Sequence, residues 1–228
     1  MEGPGIFIFV LFIAIIIAAA IYSARAARKR REELFELATR LGLEFRMEHN
    51  RALADQFGFL NKLAQGSNRY AFNVISGNYH GHQVMAFDYH YETHSTDSKG
   101  RRQTHHHYFS FFILLLPMLF PELLITREGF LSKLAQAFGY DDIDFESAEF
   151  SRTFCVRSKD KKFAYDVCNA QMMEYLLANR DLSVELEAHA LALAFGSRLS
   201  APQIEFNLQR LLEVRSRLPE YLFTPVST

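Results

Sequence analysis

Seven of the nine histidines of this chain fall between His80 and His107. Neutral imidazole is a ligand for zinc, copper or nickel, and a group of imidazoles titrates near neutrality. His90 and His94 share one face of an extended segment with Asp88 and Glu92, because strand side chains alternate from face to face. His105 and His107 share a face of the next extended segment. If the polar stretch 95–103 is a loop joining two paired strands, these imidazoles can meet across the sheet. The candidate metal ligands are therefore His90, His94, His105 and His107, with zinc or another transition metal as ligand. The plainer reading is a polar, solvent-facing sheet edge. The plainer reading is favoured, since no cysteine lies nearby and no tight spacing fixes a geometry. No cofactor is expected.

Other chemistries find less support. There is no GxSxG elbow, and Cys155 and Cys168 lack a nucleophile's context. Two cysteines do not make a disulfide framework, and they read as reduced, packed apolar side chains. Asp88 with Tyr89 could form an acid/base pair, but an aspartate bonded to local backbone is the plainer reading. Gly77 and Gly81 belong to a hairpin and not to a phosphate-binding loop. Asp141, Asp142 and Asp144 resemble part of a calcium loop without its glycine and distal glutamate. Arg101 and Arg102 sit at a loop tip that is solvated by default. No catalytic residue is assigned. A formal net charge of −1 gives no basic field for nucleic acid.

These residues are carried by a chain with an anchor. Ile6 to Tyr22 reads IFIFVLFIAIIIAAAIY and holds no charge. With its neighbours it approaches the roughly 20 residues needed to span a bilayer core. Only Glu2 precedes it as a charged side chain. Arg25, Arg28, Lys29, Arg30 and Arg31 follow it. The positive-inside rule then places the N-terminus outside and the body in the cytoplasm. A cleaved signal peptide would carry its positive charge before the apolar run. The five basic residues are candidate contacts for anionic headgroups. Ala14 and Ala18 form a small-xxx-small pair that can support self-association of the anchor.

The body follows as alternating helical and extended patterns. Leu34, Leu37, Ala38 and Leu41 mark a basic juxtamembrane helix stopped by Gly42. Leu53, Phe57, Leu60 and Ala64 mark a second helix. Strand residues dominate RYAFNVISGNY and HQVMAFDYHYETH, a hairpin turning at His80-Gly81. THHHYFSFFILLL is a strand running from a solvated edge into the core. Leu114 to Phe120, with prolines 117 and 121, ends it in a core loop, and PELLITRE is a further short strand. Phe130 to Phe138 is helical, EFSRTFCVRS extended, and Phe163 to Leu177 one helix. VELE and ALALAF form a hairpin around Ala188-His189. Ser200-Ala201-Pro202-Gln203 is a capping box that opens the last helix, with Ile204, Leu208, Leu211, Leu212 and Leu218 inward.

This order is α+β: a transmembrane helix, then an antiparallel sheet with packed helices, with a barrel of pleckstrin-homology type as one closure. The expected organisation is an anchor at 1–24, a juxtamembrane helix at 25–44 and one domain at 45–228, with halves meeting near 140. The anchor with its basic run, SGNYHGHQVMAFDY, and PELLITREGFLSKLAQAFGYDDIDFESAEFS together resemble an uncharacterised bacterial family of N-terminally membrane-anchored proteins. The resemblance implies a bacterial inner-membrane setting and carries over no activity or site residue. The expected function is a non-enzymatic binding or scaffold domain, with lipid bilayer and a protein as partners and no nucleic acid. The alternatives are a metal- or pH-responsive sensor built on His80 to His107, and an enzyme without a readable motif.

Overall fold

The computed structural model describes residues 3–127 and 142–224. The helix expected at 130–139 and Asp141 lie outside the described residues. The anchor and the juxtamembrane segment form one uninterrupted helix, α1 (Gly3–Leu41). From Phe7 to Tyr22 its large apolar side chains are exposed, and it is long and apolar enough to cross a membrane. At the other end Leu34, Leu37 and Ala38 are buried against the body. Gly42, at φ 68°, stops the helix. Leu43 N–H reaches back to the Ala38 carbonyl and Gly42 N–H to that of Thr39, which caps the last turn.

The body is α+β. Its sheet comprises β1 (Glu44–Arg46), β2 (Ser67–Tyr79), β3 (His82–Thr96), β4 (Arg102–Arg127), β5 (Phe154–Ser158) and β6 (Val184–Ala194). All pairings are antiparallel, in the order β1-β2-β3-β4-β5, with β6 also on β4. β4 organises the sheet. β6 runs along one of its edges, while β3 takes the first half of the other edge and β5 the second half. Strands from both sides of residue 140 therefore join one sheet.

Several expectations are corrected. The sheet is open and not a barrel. A barrel fills one inner face, whereas here both faces are buried against other elements. One face carries Ile75, Ala86, Phe112, Leu193 and the buried residues of α1 and α6 (Ala201–Ser216). The other carries Phe87, Tyr89, Phe111 and Ala192 against Leu53, Phe57, Leu60 and Leu63. LLLPMLF does not end the third long strand, and PELLITRE is not separate, because β4 continues through both prolines. The register slips between Leu115 and Phe120 and again before Leu123, so the missing proline N–H groups fall where the ladder is already irregular. VELE and ALALAF are one strand, in which Ala188 at φ 50° makes an irregularity and no reversal.

Three helical readings also change. α2 covers only Arg51–Gln56; Phe57, Leu60 and Leu63 pack from the turns that follow, while Ala64 is exposed. The first part of EFSRTFCVRS is helical, as α3 (Ala148–Thr153), because the Ser147 side chain accepts the Phe150 N–H as an N-cap. The helix expected from Phe163 to Leu177 is two, α4 (Lys161–Val167) and α5 (Ala170–Ala178). Asn169 starts the second by accepting the Met172 N–H. The capping box of α6 is present, with the Ser200 N–H donated to Gln203 Oε1 at 2.9 Å. Ile204, Leu208, Leu211 and Leu218 are buried, while Leu212 is half-buried.

Candidate functional site

Three polar constellations interrupt this apolar framework. The first joins α1 to the sheet. Arg30 lies one helical turn before Leu34 and so extends the buried stripe of α1. Its Nε and one terminal nitrogen donate to the two carboxylate oxygens of Asp88, at 3.0 and 2.7 Å. The other terminal nitrogen donates to the Leu199 carbonyl at 2.6 Å. Asp88 is 1% exposed and accepts also from Asn73 Nδ2 and Ser110 Oγ, each at 3.0 Å. The bidentate geometry and full satisfaction of the carboxylate make this a buried lock and not an acid/base pair. Of the five candidate headgroup contacts, Arg30 is thus held by the body. Arg25, Arg28, Lys29 and Arg31 are exposed, with Arg28 and Lys29 beside Glu32 and Glu33 on the helix surface.

The second lies further along the same face of β3. β3 and β4 pair with Glu92 opposite His106, His90 opposite Tyr108 and His94 opposite Thr104. This register splits the four histidines singled out from sequence. His90 and His94 are on the Asp88 face, and His105 and His107 are on the other. His94 meets Ser67 and Thr104, His105 meets Ser95, and His107 meets Thr93 and stacks on Tyr91. The side chains that do come together are His90, Glu92 and His106. His90 Nε2 is 3.0 Å from His106 Nδ1, and that nitrogen is 3.5 Å from Glu92 Oε1. The three ligand atoms lie within 4.8 Å of one another.

Asn68 positions two of the three. Its backbone carbonyl is 3.1 Å from His90 Nδ1, and its side-chain amide donates to Glu92 Oε1 at 2.7 Å. Arg51 in turn donates to Asn68 Oδ1 at 3.0 Å. Burial, with the Tyr70 ring stacked at 4.5 Å, lowers the His90 pKa and favours the neutral ring. The Asn68 contact, charge on His106 and the other neighbours leave Glu92 an ionised acceptor, with its pKa lowered.

Both constellations use the same device in β2. Asn68 and Asn73 have φ of 48° and 50°, and each sits where the β2–β3 register shifts. Bulges of this kind re-aim one side chain. The Asn73 side chain is aimed at Asp88 and that of Asn68 at Glu92. The sequence reading missed both. The available signal was asparagine, which tolerates the left-handed region, inside runs of strand formers.

The third constellation is on the opposite face. Glu185 of β6 is 2% exposed and accepts the Lys62 backbone N–H at 3.1 Å. Among the described residues no cation is hydrogen-bonded to it as Arg30 is to Asp88, and burial pushes its pKa up to about 7. Burial likewise lowers the pKa of Lys62. Glu185 lines a cavity of about 290 Å³ with Thr126, Asp181, Arg180 and Phe195. The Thr126 hydroxyl is buried there and finds no partner among the described residues. Cys155 and Cys168 are free and buried, and burial raises both thiols, Cys155 to about 12, well away from a reactive thiolate. Asp142 accepts the Val156 N–H and so serves β5.

No protein-family model matches the chain, and no curated protein is similar to it in sequence. Its fold is similar to that of the mycobacterial trehalose monomycolate transport factor A, TtfA, known from a crystal structure. The TM-score is 0.60 at 15% identity, covering 88% of this chain and 99% of that one. The similarity is one of fold.

Proposed function

We propose that this protein is a non-enzymatic binding domain seated rigidly on the cytoplasmic face of the bacterial inner membrane, where it presents its surface to a protein partner. The observation that supports this reading is the Arg30–Asp88 lock. An anchor joined to its domain by a flexible linker needs no such contact. Here the membrane helix enters the body without a break and is bolted to the sheet at the first turn that touches it. A buried carboxylate left unpaired is costly, so the lock strongly favours one arrangement.

The arrangement has a direction. The C-terminal end of α1 lies near Gly77, whose position Leu43 approaches, and Gly77 pairs with Val84. Arg30 meets Asp88. Helix α1 and strand β3 therefore run in opposite senses, and residues 90–102 lie on the anchor side of the lock. Arg30 is about 10 Å along the helix axis from Ser23. Thr96 is about 27 Å along the strand from Asp88. The tip of the β3–β4 hairpin, with Lys99, Arg101 and Arg102 exposed, therefore lies on the anchor side of the lock. The exposed Arg25, Arg28, Lys29 and Arg31 add positive charge at the same level. The fold neighbour is named for the transport of trehalose monomycolate, and a seated, non-enzymatic role is in keeping with that name.

The test is capture in native membranes. Photo-crosslinkers at Ser98 and Phe206 should trap one recurrent protein, and a flexible insertion after Ala27 should abolish the trapping. Capture of lipid alone at both positions would overturn the binding-domain reading. Capture indifferent to the insertion would overturn rigid seating. A second reading, a small-molecule site, is favoured by one observation, the poised carboxyl of Glu185 in its cavity.

A further inference from the structure

We infer that His90, Glu92 and His106 form a binding site for one zinc ion, held by three protein ligands with a fourth position open to solvent. Two ligand atoms about 2.0–2.1 Å from a tetrahedral centre stand roughly 3.3–3.4 Å apart. The two separations along the chain of ligand atoms, 3.0 and 3.5 Å, bracket that edge. The third separation is within 4.8 Å, so a side-chain adjustment that brings Glu92 and His90 nearer closes the set on one centre. The donor set is two imidazoles and a carboxylate, the composition that leaves zinc a labile position.

The surroundings are those of a ligand set and not of scattered surface histidines. A metal-bound histidine needs its second ring nitrogen occupied, because that bond fixes the tautomer and turns the lone pair toward the metal. The Asn68 carbonyl does this for His90 by accepting from Nδ1, which leaves Nε2 as the acceptor facing His106 and Glu92. Asn68 also fixes Glu92 through its amide, and Arg51 fixes Asn68. One residue in a left-handed conformation thus orients two of the three donors. Backbone in that region is uncommon outside glycine, and it persists here with two hydrogen-bonded duties.

Burial is graded in the sense a zinc site requires. His90 is 2% exposed and the Glu92 side chain 15%, while the His106 side chain is 53% exposed. The ion would enter from the His106 side. The charges facing the group are Glu92 itself, His94 on the same face, His49 beyond Tyr70, and Arg51 behind Asn68. His94, His105 and His107 are engaged with hydroxyls of the same hairpin. They are not ligands of this centre.

The experiment uses the full chain in lipid nanodiscs, purified without a polyhistidine tag. Zinc is titrated by calorimetry, and cobalt is used as a spectroscopic substitute. One equivalent should bind more tightly than about 0.1 mM, and cobalt should show the visible absorption of a tetrahedral site. His106→Ala changes an exposed residue, so the fold is retained, and it should abolish stoichiometric binding. Asn68→Gly keeps the left-handed backbone and removes only the amide, and should weaken binding about tenfold, as loss of a positioning residue does. His94→Ala, His105→Ala and His107→Ala should leave affinity unchanged. Binding weaker than the stated limit, or binding that survives His106→Ala, overturns the site. A loss shared equally by His94→Ala would mean diffuse histidine binding and would overturn it too.

Discussion

Asp88 and Glu185 are both carboxyl groups on strands of one sheet, both all but sealed from water, and their surroundings give them opposite roles. Asp88 faces α1 and is met by a guanidinium, an amide and a hydroxyl. Glu185 faces the other side, is met chiefly by backbone N–H groups, and is pushed up to about 7. A buried carboxylate beside arginine is a structural lock, while one without a cation is a group that changes charge near neutrality. The same chemistry therefore marks a fixed joint on one face and a responsive cavity on the other.

The largest effect should come from opening the joint. Arg30→Ala leaves Asp88 buried without its cation and should lower stability by about 3–5 kcal/mol, measured by chemical denaturation in nanodiscs. The pair Arg30→Met with Asp88→Leu should recover a large part of that loss, since an apolar replacement leaves no charge unpaired. If Arg30→Ala costs under about 1 kcal/mol, the contact is an ordinary surface ion pair and the contrast with Glu185 fails.

A smaller effect should appear at Glu185, and only in one pH window. Its folded pKa lies above its ordinary value of 4.5, so between pH 4.5 and about 7 the folded state holds a proton that the unfolded state has lost. Its contribution to stability therefore falls as pH rises through that window, by about 1.4 kcal/mol per pH unit at most. Glu185→Gln replaces the carboxyl with an amide that does not titrate. Relative to the parent, the variant should gain stability from pH 5 to 7, and the difference should be constant below pH 4.5. Parallel curves across the whole range would mean that Glu185 stays ionised by means of a partner.

The smallest effect should come from Arg28, two residues from the lock. It pairs with Glu32 on the helix surface, with side chains 79% and 58% exposed. Arg28→Ala should shift stability by less than about 0.5 kcal/mol, while weakening attachment to anionic bilayers relative to neutral ones in a salt-dependent way. An effect as large as that of Arg30→Ala would show that the basic run acts as a unit and that no single residue is the joint.

How far these sites are legible in sequence depends on what sets them. The anchor, the Leu34–Leu41 stripe, the β2–β3 hairpin and the α6 cap follow from local pattern and were read from it. The open form of the sheet and the continuity of β4 and β6 were not, because irregular register lets a strand pass prolines and a positive-φ alanine. Histidine density pointed to the hairpin where three donor side chains meet, but of His90, Glu92 and His106 only His90 was among the four singled out. Two consecutive strands share a face only in the register the turn imposes, and the turn at 97–101 is tighter than the loop expected from the polar stretch. That register pairs Glu92 with His106 and turns His105 and His107 away. Arg30 stands on the buried stripe of α1, so its pairing could have been suspected, whereas its partner 58 residues on could not.

Rigid seating is tested most directly by a distance. Spin labels at Ser23→Cys, where the anchor leaves the apolar run, and at Ser98→Cys, on the hairpin tip, would be placed in the full chain in nanodiscs, with Cys155 and Cys168 left as buried thiols that resist labelling. Pulsed electron resonance should give one narrow distance distribution, which broadens in Arg30→Ala. A broad distribution in the parent chain, unchanged by Arg30→Ala, would mean that the helix bends freely between anchor and body and would contradict the lock.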